Sequence, residues 1–191
     1  EGLHRAWKWT AEDHLLHVLP LFHVHGLIVA QLGALYANAK SSWVHRIDAK
    51  SIWQKIASDS ISILMAVPTI HYRLLQEKDA PNVESLRLVT SGSAPLPVAI
   101  HDQFFQRFGF HIVERYGMTE VGIVLSNPYE GECRPGTVGF PIGDVQFRIV
   151  NDNLQDIPVG DVGELLISGS SVISGYWKKP EQTGNTIKNG W

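Results

Sequence analysis

The sequence predicts an α/β fold: a mainly parallel sheet flanked by helices, followed by part of an antiparallel β subdomain of the distorted-barrel kind. Three observations predict it. Over the first two-thirds of the chain, apolar runs of strand length alternate with segments of helical period. Helix caps and breakers such as Asp48, Pro68 and Gly109 fall between the runs. After Pro135 glycines crowd between short apolar runs, the texture of antiparallel β structure.

In chain order, Leu15 to Leu21 reads as a strand and Leu27 to Ala37 as a helix. Trp43 to Ile47 reads as the next strand, followed by a helix that Asp48 caps and that carries Ile52 and Ile56. Ile61 to Val67 is a third strand ending at Pro68; Thr69 is expected to cap a helix carrying Ile70, Leu74 and Leu75. Leu86 to Thr90 is a fourth strand, and the helix from Pro97 to Phe108 stops at Gly109, because glycine tolerates the left-handed conformation that closes a helix. Phe110 to Glu114 completes the parallel set. Beyond it lie short strands at Val145 to Val150 and Glu164 to Ser168, with Asn151 to Asn153 as a turn. The expected division is 1–134 for an α/β subdomain and 135–191 for a β-rich subdomain.

Sixteen Lys and Arg against nineteen Asp and Glu leave a net charge of −3, with no block of like charge. That excludes an electrostatic nucleic-acid footprint and a basic membrane-surface patch. The longest apolar stretch, Leu27 to Ala37, is far short of the roughly 18 residues of a spanning helix, so no membrane span is expected. A single cysteine, Cys133, cannot form an internal disulfide, and a reducing compartment, cytoplasm or mitochondrial matrix, is expected. Charged residues are 18% of the chain, below the roughly 25% of a typical soluble domain, which predicts surface normally covered by further protein.

In open parallel sheets ligands bind at the carboxyl ends of the strands, where side chains and helix N-termini converge. Four segments should meet there: Phe22 to Gly26, Val67 to Thr69, Ser91 to Pro95 and Arg115 to Glu120. The small residues Ser91, Gly92, Ser93 and Ala94 let backbone approach a flat ligand, and Tyr116 offers a ring to stack on it. Thr119 brings a hydroxyl for a phosphate oxygen, and Glu120 a hard oxygen ligand for Mg²⁺. Taken alone, S-G-S-A-P is equally the turn that joins strand to helix in many proteins.

Tyr116-Gly117-Met118-Thr119-Glu120, preceded by Ser91 to Pro95 and followed by Gly163-Glu164-Leu165, Gly175-Tyr176-Trp177 and Pro180-Glu181-Gln182-Thr183, resembles the adenylate-forming superfamily of acyl-CoA synthetases, luciferases and peptide-synthetase adenylation domains. The resemblance covers about Leu15 to Trp191. Within it, H-V-L-P-L-F-H-V-H-G-L, M-A-V-P-T and E-R-Y-G-M-T-E most resemble malonyl-CoA synthetases.

The resemblance implies ATP, Mg²⁺ and coenzyme A as reaction partners. A small carboxylate, malonate or methylmalonate, is adenylated by ATP and then transferred to the thiol of coenzyme A; a fatty or aromatic monocarboxylate is the alternative acid. It also implies roles. Residues matching Ser91, Gly92, Ser93, Ala94, Pro95, Glu114, Tyr116, Gly117, Met118 and Thr119 line the nucleotide site, and that matching Glu120 holds the metal. His23, Thr119 and Glu120 match catalytic positions, and His23, Arg73 and Arg115 match acid-binding ones. The P-K-G phosphate loop, the ribose-binding Asp beyond Gly190-Trp191 and the lysine of the C-terminal lid domain are absent from these residues. The expectation is a central fragment of the N-terminal domain, catalytically silent without the remainder of its chain; a non-catalytic nucleotide-binding or interaction module stands beside that reading.

His14, His17, His23 and His25 include an H-x-H spacing, but no acid follows before Asp48, so ordinary surface, helix-end or packing roles are expected instead of a metal site. Arg115 has two readings. Its guanidinium could bind a second carboxylate bidentately, or form a surface ion pair with Glu114 or Glu120. Arg73 equally suits a solvated helix face, and Trp7, Trp9, Trp43 and Trp53 suit packing positions.

Overall fold

A computed structural model describes residues 1–44, 46–81 and 83–191. Helix α1 (Gly2–Ala6) precedes β1 (His14–His17), a π-helix (His25–Leu32), α2 (Gly33–Tyr36) and β2 (Lys40–Trp43). Then come α3 (Ala49–Asp59), β3 (Ile63–Ala66), α4 (Pro68–Gln76), β4 (Leu88–Ser91), α5 (Val98–Phe108) and β5 (Ile112–Met118). Five short elements follow: β6 (Gly122–Ser126), β7 (Phe140–Pro141), β8 (Gln146–Val150), β9 (Glu164–Ser168) and α6 (Pro180–Thr186).

One seven-stranded sheet has the order β2-β1-β3-β4-β5-β6-β7. The pairings from β2 to β5 are parallel, and those of β5 with β6 and of β6 with β7 are antiparallel. Strands β8 and β9 form a separate antiparallel pair. The parallel strands are apolar on both faces because both are covered: all four residues of β3 and all four of β4 are buried. Ile52, Trp53 and Ile56 of α3, Leu74 of α4 and Phe104 of α5 join Leu15, Leu16, Ile63 and Leu64 in one core, each burial favouring the fold by about 1.5–3 kcal/mol. A smaller cluster sets Val121, Val124 and Leu125 against Leu165, Ile167 and the ring of Tyr116, which fastens the β8–β9 pair to the end of the large sheet.

Several helix ends follow from local chemistry. The Asp48 carboxylate accepts the Ser51 N–H at 2.9 Å and so caps α3. α5 ends at Gly109, whose φ is 76°. α4 instead starts with Pro68 at its first position, where the missing N–H has no partner to lose; Val67 is the residue before it, and Thr69 lies inside the helix and caps nothing.

Four further sequence expectations are corrected. The second strand lies at Lys40–Trp43, upstream of Trp43 to Ile47, where the polar edge residues Ser41 and Ser42 pair with Leu15 and Leu16; position 45 is outside the described residues. The Leu27 to Ala37 helix begins earlier, at His25, and its first eight residues are wound as a π-helix. The strand expected to end at Glu114 continues to Met118, because β6 turns back to pair with it. His14 and His17 are neither surface nor helix-end residues but strand residues: His17 is buried, stacked on Trp43 with ring centroids 4.0 Å apart.

An ion pair between Arg87 and Asp13 helps tie the N-terminal segment to this sheet. Arg87 donates through Nε and Nη2 to the two carboxylate oxygens of Asp13, at 2.7 and 2.6 Å, and reaches the carbonyls of Trp7 and Lys8 at 3.0 Å each. Asp13 also accepts from the Thr10 N–H and the Ser62 hydroxyl at 2.8 Å. Burial opposes its charge, but these donors outweigh burial and hold its carboxyl below the ordinary range.

Two outcomes follow from this pair. Asp13→Ala should lower unfolding stability by about 3 kcal/mol, measured in urea, because it leaves a guanidinium without its counter-charge. Since the folded pKa is depressed, this contribution is full above the unfolded carboxylate value near pH 4 and is lost as the pH falls through the lower folded value; the unfolding midpoint of the parent chain should drop in that acid range more than that of Asp13→Asn.

Candidate active site

The carboxyl ends of β1, β3, β4 and β5 open onto one cleft of about 680 Å³. His23, Thr69, Ser93, Arg115, Gly117, Met118, Thr119 and Glu120 all line it, so each of the four segments singled out in the sequence contributes. A second cavity of about 340 Å³ adjoins it and is lined by Ser91, Ser93, Ala94, Pro95, Glu114, Arg115, Tyr116 and Gly117. Ser93, Arg115 and Gly117 belong to both and form the wall between them. Arg73, one helical turn beyond Thr69, is exposed and lines neither.

Arg115 is the dominant charge. Only 5% of it is exposed, and its Nε and Nη2 atoms have no hydrogen-bond partner among the described residues. Burial pulls its pKa down to about 10, so the guanidinium is charged at neutral pH despite the cost of desolvation. The surface ion pair with Glu114 or Glu120 is not formed. Glu114 is itself buried, and its carboxylate turns the other way to accept the Gly136 N–H at 2.8 Å; Glu120 bonds Tyr176. The Glu114 carbonyl also accepts the Asn127 N–H at 2.9 Å, so this residue ties β5 to the chain that follows β6. Burial nevertheless raises the Glu114 pKa.

Gly92 explains how an arginine fits at such a place. A Cβ there would overlap the Arg115 guanidinium, so the side chain lies directly on the Gly92 backbone. The next residue, Ser93, holds φ at 69°, a left-handed conformation that costs a non-glycine residue about 1–3 kcal/mol and that collects at functional sites.

From the sequence, His25 is one of the groups the strand-end cleft would offer, with simple packing as its other reading. It is 6% exposed, its Nδ1 lies 3.2 Å from the Ser93 hydroxyl, and its Nε2 is buried without a partner among the described residues. Burial first, and then the nearby Arg115 charge, push its pKa down to about 3. His25 is therefore neutral at any physiological pH and offers a hydrogen bond rather than a charge. His23, two residues earlier, is exposed on the rim, its ring against Phe22. The two point differently because the π-helix starts between them; its first turn is held where the His17 Nε2–H donates to the Gly26 carbonyl at 2.9 Å. π-helical turns recur at functional sites, but their spacing has no signature in hydrophobic periodicity.

The Tyr116 to Glu120 string is the end of β5 and the start of its hairpin turn to β6. The register slips between Tyr116 and Gly117, and a Cβ on Gly117 would strike the backbone of β6, which is why a glycine sits at this bulge. Thr119 is exposed and Glu120 half-buried. Among the described residues no group of three His, Cys, Asp or Glu side chains is placed to hold a metal. Glu120 can thus give one hard oxygen ligand, and the remaining ligands of a divalent ion would be phosphate oxygens and water.

The sequence model of a family described as AMP-binding enzyme matches residues 2–177. The mitochondrial malonate–CoA ligase ACSF3 of Mus musculus is 37% identical over 226 residues, covering 100% of this chain and 39% of its own length. The crystal structure of ATP-bound MatB from Rhodopseudomonas palustris superposes with a TM-score of 0.94 at 36% identity, over 98% of this chain and 38% of that one. A malonyl-CoA ligase in a ternary product complex with methylmalonyl-CoA and AMP superposes with a TM-score of 0.89 at 33% identity, over 98% and 41%. The chain spans about two fifths of the length of the relatives it matches.

The burial of His25 has a direct readout. Its imidazole should remain neutral in an NMR titration from pH 8 to pH 5. Because its folded pKa lies below the unfolded value of about 6.5, its effect on stability is neutral above that value and increasingly unfavourable as the pH falls toward 3; His25→Asn should flatten that part of the stability profile.

Proposed function

The chain belongs to the AMP-binding enzyme family, and on that premise we propose that it forms the acyl- and nucleotide-facing part of an AMP-forming ligase that joins malonate or methylmalonate to coenzyme A. The observation that carries the acid's identity is Arg115: a buried, charged guanidinium with two nitrogens unpartnered among the described residues, set in the wall of the cleft. A dicarboxylate brings a second negative charge that is costly to desolvate unpaired, and a fixed cation offsets that cost; a monocarboxylate would leave the arginine uncompensated. Of the two compartments open to the sequence, the mitochondrial one is favoured by the mouse relative, a mitochondrial protein.

The reaction divides between the two cavities. The acid enters the larger one with its distal carboxylate on Arg115, and the neutral His25 adds a hydrogen bond from the neighbouring position. The adenine of ATP takes the smaller one, against Ser91 to Pro95 and the Tyr116 ring, and its phosphates reach Thr119. The free carboxylate oxygen of the acid attacks the α-phosphorus and pyrophosphate departs. The thiol of coenzyme A then attacks the acyl carbon of the mixed anhydride, loses its proton, and AMP leaves. Mg²⁺, held on one side by Glu120, would offset the charge of the phosphates. His23, on the rim, stands beside the carboxylate being activated.

Two measurements on the full-length ligase carrying these residues test this reading. Arg115→Ala should lower kcat/KM for malonate by about 2–5 kcal/mol, roughly 30-fold to several-thousand-fold, while butyrate is affected far less. An unchanged malonate-to-butyrate preference would transfer the assignment to a monocarboxylate ligase. Glu120→Gln should slow ATP–pyrophosphate exchange on the order of 10²-fold; near-normal exchange would remove Glu120 from the adenylation step.

A further inference from the structure

Glu120 sits on a hairpin turn, and its side chain would be free to rotate there without support. Among the described residues one side-chain bond holds it: the Tyr176 hydroxyl donates to Oε1 at 3.0 Å. The same segment grips its backbone, since the Ile173 N–H donates to the Glu120 carbonyl at 2.8 Å. Tyr176 is fixed in turn. Its N–H donates to the Thr183 hydroxyl at 2.9 Å, and that hydroxyl donates at 2.9 Å to the carbonyl of Lys179, the residue just before α6. A Cβ on Gly175 would strike Thr183, so the chain can pass this close to α6 only as glycine.

From this arrangement we infer that Tyr176 is a positioning residue: its hydroxyl fixes the rotamer of the Glu120 carboxylate so that the second oxygen, Oε2, faces the cleft, and Thr183 holds Tyr176 in place. The inference rests on the ligase reading for the metal that Glu120 would bind. It accounts for a tyrosine 56 residues away in sequence lying against a cleft carboxylate. Outer-shell partners of this kind orient a ligand before the ion arrives, and losing one typically weakens metal affinity about 10- to 100-fold.

The test uses the full-length ligase carrying these residues, with Mn²⁺ as the probe and its affinity for the ATP-bound protein read by electron paramagnetic resonance without any acid present. Tyr176→Phe keeps the ring and removes only the hydroxyl, and should weaken Mn²⁺ binding about 10- to 100-fold, with a matching rise in the Mg²⁺ concentration for half-maximal pyrophosphate exchange and kcat recovering at saturating Mg²⁺. In a Glu120→Gln background the same change should add nothing, because both act through one carboxylate. Thr183→Val should shift Mn²⁺ affinity in the same direction by less, which keeps the test decisive if Tyr176→Phe folds poorly. Unchanged Mn²⁺ affinity in Tyr176→Phe, or losses that add to those of Glu120→Gln, would overturn the inference. Because no acid is present, failure of the malonate assignment leaves this result standing, and the two are read apart.

Discussion

The arrangement of the cleft depends on one costly group, the buried guanidinium of Arg115. A charge taken out of water costs several kcal/mol unless it is compensated, and here two of its nitrogens have no partner among the described residues. Several features around it follow from that cost. Gly92 is without a side chain so that the guanidinium can lie on its backbone, and His25 stays neutral beside it. Glu114, the nearest carboxylate in sequence, is committed elsewhere by the Gly136 N–H. The site is thereby left with an unmet positive charge, the condition under which an anionic ligand contributes binding instead of competing with an internal ion pair.

The change from parallel to antiparallel pairing at β5 supplies the second half of the site. Up to Glu114 the strand is the last member of the parallel set, paired with β4 and buried. Beyond it the strand pairs with β6 and turns back, and the bulge at Gly117 and the turn at Thr119 and Glu120 project over the same cleft that the parallel strands open upon. The small apolar cluster beneath the turn keeps β8 and β9 against it, which brings Tyr176 within reach of Glu120. Local backbone geometry and distant packing thus converge on one carboxylate.

The legible parts of this protein were those written in short-range patterns. Asp48 marked the start of α3 and Gly109 the end of α5, because caps act over three or four residues. The doubly buried runs at Ile63 and Leu88 marked parallel strands for the same local reason, and the rule that ligands gather at carboxyl strand ends was enough to bring His23, Thr69, Ser93, Arg115 and Glu120 into one cleft. Less legible were features that neighbours impose. The polar edge strand Lys40–Trp43 has no apolar alternation to betray it, and β5 runs past Glu114 only because β6 is there to pair with it.

By itself, then, the sequence determined the α/β order, most helix ends and the residue types that meet at the site, since these depend on propensity, capping and burial along a few consecutive positions. Tertiary structure alone decided where those residues sit. It buried His25 and exposed His23 across a π-helical turn, left Arg73 outside both cavities, turned Glu114 away from Arg115, and set Tyr176 on Glu120. Each of these outcomes is a matter of which groups lose water and which partners they find, and that is settled by contacts between segments far apart in the chain.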